Sequence, residues 1–85
     1  MSQGGYIGRV AEPGSSGDRV LRHREAAARH EKAALRHEES AGYWRARGEE
    51  ALAEIESRCA DVERAAAEVE RDRADLFQRR GQAAA

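Results

Sequence analysis

The sequence predicts an all-α protein organised on a helical segment from about residue 18 to residue 80, and three observations predict it. Residues 22–42 divide into consecutive seven-residue units, Arg-His-Arg-Glu-Ala-Ala-Ala, Arg-His-Glu-Lys-Ala-Ala-Leu and Arg-His-Glu-Glu-Ser-Ala-Gly. Seven residues are close to two helical turns, so every Arg-His start returns to nearly the same face. Between residues 18 and 80 there is no proline, and alanine, glutamate and arginine dominate, the composition of long helices and coiled coils. Finally, stepping by seven from Val20 meets Ala27, Ala34, Ala41, Gly48, Ile55, Val62, Val69 and Leu76 with no charged residue at any step.

Two architectures satisfy this pattern. The preferred one is a single long helix (about 18–80) that forms a coiled coil, because the apolar stripe crosses Gly42 and Gly48 without losing phase. The alternative is an antiparallel helical hairpin with a turn near 42–48, since each glycine inside a helix costs about 1 kcal/mol relative to alanine. A hairpin would lay a basic half on an acidic one. Residues 1–48 carry nine Lys/Arg against six Asp/Glu, a balance of +3, and residues 49–85 carry six against ten, a balance of −4, matching the net charge of −1.

In chain order, residues 1–17 hold Gly4, Gly5, Gly8, Pro13, Gly14, Ser15, Ser16 and Gly17, and predict a disordered Gly/Ser-rich tail. Within it, Tyr6-Ile7-Gly8-Arg9-Val10 is the one stretch suited to adding to a partner's sheet edge. Ser15, Ser16 and Asp18 are the candidate N-caps. The pairs Glu25–Arg29, Glu54–Arg58 and Asp75–Arg79 have the favourable i, i+4 spacing and order. Arg79 and Arg80 followed by Gly81 predict the helix end, leaving 81–85 as a disordered C-terminal tail.

The expected interaction seam consists of Ile55, Val62, Val69 and Leu76, with Leu52 beside it and Trp44 at the glycine-flanked centre. Taking Leu52 as a and Ile55 as d describes the C-terminal half as well as taking Ile55 as a, so the heptad labels stay open. The alanines at 27, 34 and 41 permit close approach but bury little area, so the C-terminal half is expected to hold an assembly together. Tyr43 and Trp44 pack beside the glycines or serve as a contact hot spot.

His23, His30 and His37 are the residues that invite a chemical reading. Consecutive members lie about 10.5 Å apart along one helix, too far to share one zinc ion, whose bonds are about 2 Å. Within one chain they form no metal site. As a pH-sensitive stripe they would gain charge around the ordinary imidazole pKa of about 6.5 and repel one another. His30-Glu31 and His37-Glu38 begin an HExxH pattern, but Ala34 and Ala41 stand where its second histidine belongs. A helix offers neither an oxyanion hole nor a pocket, so no catalytic residue and no cofactor are expected.

Composition narrows the function classes. Of the 85 residues, 40% are hydrophobic and more than half of those are alanine, so little is available to fill a globular core. No stretch approaches the roughly twenty apolar residues of a membrane span, and the N-terminus lacks an apolar signal core, which predicts a cytoplasmic protein without membrane contact. The lone Cys59 fits a reducing compartment. These readings predict a small non-enzymatic coiled-coil scaffold, adaptor or regulatory module that pairs with itself, a dimer above all, or with a partner helix. The reading from another class is a nucleic-acid-associated protein using the basic N-terminal half, with Arg19, Arg22, Arg24, Arg29, Lys32 and Arg36 as phosphate contacts. Against it, Glu25, Glu31, Glu38 and Glu39 interleave with those cations.

Overall fold

A computed structural model describes the backbone of residues 16–84 and the side chains of residues 17–83. Two helices make up the fold: α1, Ser16–Arg45, and α2, Glu50–Ala84. They lie antiparallel as a helical hairpin, with no strand among the described residues. At 1.5 Å per residue the longer helix spans roughly 52 Å. No helix is long and apolar enough to cross a membrane among the described residues. The segment 1–15, including the Tyr6–Val10 stretch and most of the expected N-terminal tail, lies outside the described residues.

The hairpin replaces the single continuous helix, and the reason lies in four residues. Gly48 adopts φ +79°, a left-handed conformation that glycine reaches without a Cβ clash. The Glu49 amide donates to the Trp44 carbonyl and the Gly48 amide to the Arg45 carbonyl, both at 3.0 Å. That pair of bonds is a Schellman motif with Gly48 at C′, which closes α1 and reverses the chain. Glu49 then stands at the N-cap of α2, its carbonyl accepting the Ala53 amide at 3.0 Å. The Arg45 Nε–Glu50 Oε1 contact at 3.4 Å spans the turn. Arg47 folds back on α1, its guanidinium 3.6 Å from the Tyr43 ring centroid and one nitrogen donating to the Tyr43 carbonyl at 3.1 Å.

Gly42 takes no part in the turn; it is helical and exposed, with open space where a Cβ would stand. The two glycines should therefore respond in opposite directions. Gly42→Ala is expected to stabilise the hairpin by about 0.5–1 kcal/mol through propensity alone. Gly48→Ala should destabilise it by about 1–2 kcal/mol, because open space does not relieve a left-handed φ. Thermal melts followed by circular dichroism separate the two, and equal shifts of the same sign would contradict this account of the turn.

At the other ends, α1 begins at Ser16, which puts Asp18 in its first turn against the positive end of the helix. Helix α2 continues through Gly81 to Ala84, so Gly81 is not a stop and the expected tail at 81–85 is helical over its described part. Arg79 and Arg80 accordingly lie before the last turn, which holds no basic residue.

The contact between the helices is built almost wholly of alanine. Its buried residues are Val20, Ala27, Ala34 and Ala41 from α1 and Ala53, Ala60, Ala67 and Ala74 from α2, with Ala53 and Ala67 at 0% exposure. Each set repeats every seven residues, so each helix presents one narrow stripe to the other. No polar or charged residue is buried among the described residues. The stripe traced in the sequence from Ala41 through Gly48 to Ile55 is not this seam. Twelve residues, not fourteen, separate Ala41 from Ala53, the next buried position, because the turn resets the phase. Ile55, Val62, Val69 and Leu76 consequently face away from α1.

Candidate functional site

Two features stand out on the hairpin surface: a ladder of histidine–glutamate pairs along one edge and an apolar stripe on the outer face of α2. The ladder arises from matching heptads. His23, His30 and His37 border the alanine seam of α1, while Glu56, Glu63 and Glu70 border that of α2. Antiparallel packing brings them together as His23–Glu70 at 2.5 Å, His30–Glu63 at 2.7 Å and His37–Glu56 at 2.7 Å, each from Nδ1 to Oε1. All six side chains are half-buried. A carboxylate can only accept, so Nδ1 carries the proton in every rung and Nε2 is left for a second bond.

Aromatic residues close both ends of the line. Trp44 continues the histidine spacing toward the turn, half-buried and edge-on to Tyr43 at 5.0 Å between ring centroids. Phe77 continues the glutamate spacing toward the open end, where it stacks on the His23 imidazole at 5.7 Å and 3°. The Arg19 guanidinium lies 5.1 Å from the Phe77 ring centroid. Glu70, the rung nearest this end, also accepts from Arg73 at 3.1 Å. The hydrogen bond from His23 holds its carboxyl below the ordinary glutamate range; the Arg73 charge adds to this, and desolvation opposes it.

This geometry changes the expectation for the histidines. Along α1 they stand about 10.5 Å apart, while each meets a carboxylate within hydrogen-bond reach. The charged group nearest each imidazole is thus the carboxylate of its rung on the other helix, not a neighbouring histidine. Among the described residues no group of three or more histidine, cysteine or carboxylate side chains is placed to hold a metal ion.

The opposite edge of the seam carries the reverse polarity. There α1 supplies Glu31 and Glu38, and α2 supplies Arg71 and Arg64 as their partners. Arg24 adds a 3.2 Å bond to Gln78. A shallow depression of about 390 Å³ opens on this edge between Arg24, Glu31, Arg71 and Asp75, floored by Ala27, Ala28 and Ala74. Glu31 and Arg71 in its rim already satisfy each other, so it is an open space between side chains without the convergent polar groups of a ligand site.

The outer stripe holds the residues expected from the sequence as an interaction seam except Trp44, which stands on the histidine line of α1. Leu52, Ile55, Val62, Val69 and Leu76 are all exposed, Val62 to 67%. Cys59 and Ala66 are half-buried and complete the spacing. The order Leu52, Ile55, Cys59, Val62, Ala66, Val69, Arg73, Leu76 alternates steps of three and four, an a/d heptad pattern with Leu52 at a. With Leu52 at a, these positions fall on one face of α2, distinct from the buried alanine seam. Leu52, Cys59 and Ala66 lie four residues before Glu56, Glu63 and Glu70, so the stripe runs beside the ladder. Arg22, Arg29 and Arg36, three of the six phosphate-contact candidates, repeat along the exposed side of α1.

Sequence reasoning missed the glutamate halves of the rungs and the buried stripe Ala53, Ala60, Ala67 and Ala74. Both were marked by heptad spacing in α2, but their meaning depended on the direction of packing. No family model, curated protein or solved structure matches the chain.

Proposed function

We propose that this chain is a small non-enzymatic interaction module, acting as a scaffold, adaptor or regulatory element, that associates with itself or a partner helix through the outer face of α2 in coiled-coil fashion. One observation carries the reading: the aliphatic side chains are distributed inside out. Apart from Val20, every leucine, isoleucine and valine of the described helices is exposed, while alanine fills the contact between them.

Burying a Leu, Ile or Val side chain contributes about 1.5–3 kcal/mol, several times what a methyl group gives, so the larger gain is still unused in the isolated hairpin. A continuous apolar face rimmed by charge is characteristic of a protein-binding surface. The heptad spacing selects a helix as the complementary shape.

The variant Ile55→Asp plus Val62→Asp tests the proposal. Both positions are exposed, so the hairpin itself tolerates the change, and sedimentation should show the wild type assembled and the variant monomeric. A variant that assembles as the wild type does would remove the outer stripe as the interface.

A further inference from the structure

We infer that the outer face of α2 receives α2 of a second copy in antiparallel orientation, with a two-fold axis at the level of Arg64. The inference rests on the interaction-module reading and specifies its partner. It follows from how the stripe and its borders pair when one helix is reversed.

In a parallel pair, like positions meet like, and Arg73 would oppose Arg73 of the second copy inside the apolar layer. Reversal about residue 64 removes that clash. Leu52 then meets Leu76 of the second copy, Cys59 meets Val69, and Val62 meets Ala66. Small residues oppose larger ones in two of these layers, which lets the helices interdigitate. Arg73 falls opposite Ile55, one residue from Glu56 of the other chain, where its aliphatic stem covers the apolar layer and its guanidinium reaches a carboxylate.

The borders complement one another in the same arrangement. On the edge away from the ladder, Arg58 and Asp72 are exposed, and neither has a hydrogen-bond or ion-pair partner among the described residues. The axis at residue 64 sets Arg58 of one copy against Asp72 of the other, twice by symmetry. Opposite charges at such border positions govern orientation and register in helix pairs. On the ladder edge, Glu63 approaches its own symmetry mate at the axis. Each Glu63 arrives already bonded to His30 at 2.7 Å, so the like carboxylates meet with a donor beside each.

The native thiol makes the orientation measurable. In the antiparallel pair Cys59 lies beside position 69 of the second copy, whereas two Cys59 residues stand about 15 Å apart along the axis. Mild oxidation should therefore leave the wild type uncrosslinked and convert Val69→Cys into a covalent dimer joining Cys59 to the introduced thiol. The same variant carrying Cys59→Ser should remain uncrosslinked. In sedimentation equilibrium, Arg58→Asp should weaken the dimer about tenfold, and adding Asp72→Arg should restore it.

Efficient crosslinking of wild-type Cys59 to its own mate would establish a parallel pair and overturn this orientation, leaving the interaction module in place. A dimer indifferent both to the charge reversals and to Ile55→Asp plus Val62→Asp would overturn the orientation and the module together. A wild-type chain that stays monomeric up to its solubility limit would overturn the second copy as occupant while leaving a foreign partner helix.

Discussion

Ala60→Leu and Ala67→Leu are each expected to lower the thermal midpoint of the hairpin by about 10 °C, more than any single substitution on its surface. Ala60 and Ala67 are 1% and 0% exposed, at the middle of the contact between α1 and α2. Alanine there lets the helix backbones approach to the near limit of helix packing. A leucine must force the helices apart or distort its rotamer, at about 1–3 kcal/mol. For a chain of this size each kcal/mol moves the midpoint by about 4–8 °C. Ala28→Leu is the control: it adds the same volume on the exposed face beside Ala27 and should change stability by about 0.5 kcal/mol or less. Melts in which all three variants behave alike would show that the alanine stripe does not set helix separation.

The second large effect is expected from the ladder. Glu56→Lys, Glu63→Lys and Glu70→Lys together remove the three acceptors and place ammonium groups against imidazole donors. Each partly exposed rung contributes about 1 kcal/mol, so the triple variant should lose about 3 kcal/mol, a large share of what an alanine-lined hairpin can hold. Adding His23→Glu, His30→Glu and His37→Glu reverses both sides of the ladder and should recover most of the loss. Without recovery, the rungs would matter as packing and not as charge pairs.

Glu70 gives the ladder a signature in acid. Its folded pKa is depressed, so the unfolded chain takes up protons first as pH falls. The stability it contributes is complete above the ordinary glutamate value of about 4.3 and disappears as pH drops through the lower folded value. The difference in melting midpoint between wild type and Glu70→Gln should thus be present at neutral pH and shrink as the pH falls below the ordinary glutamate value. A constant difference across that range would contradict the pairing.

The helical content and the position of the weak point were legible in the sequence because they depend on local chemistry. Proline-free, alanine- and glutamate-rich segments make helices, and a pair of glycines marks where one can stop. Choosing the hairpin over the single helix required the φ of one residue, Gly48, and the sequence pattern pointed the other way. Stepping by seven from Val20 to Leu76 crosses the turn in apparent phase, yet it joins the buried face of α1 to the outer face of α2.

The histidines were visible as a stripe, but their partners were not. Glu56, Glu63 and Glu70 have the same spacing, and only reversal of the chain sets them opposite His37, His30 and His23. The regular spacing of Ile55, Val62, Val69 and Leu76 as one apolar stripe was readable from the sequence. That they line a different face from the one closing the hairpin is a three-dimensional fact.

The repetition of the rungs also has a consequence for length. Both arms are tiled in interchangeable units, each offering an alanine to the seam and one half of a rung, while the turn and the Phe77 end are unique. One unit inserted in α1 together with its counterpart in α2 would extend the hairpin by about 10.5 Å and add one rung, leaving every existing contact as it is. A unit inserted in one arm alone would leave the other arm short by two turns. The chain therefore has the geometry of a measuring rod, graduated in whole heptads and folded at its midpoint, whose span can change only in matched increments.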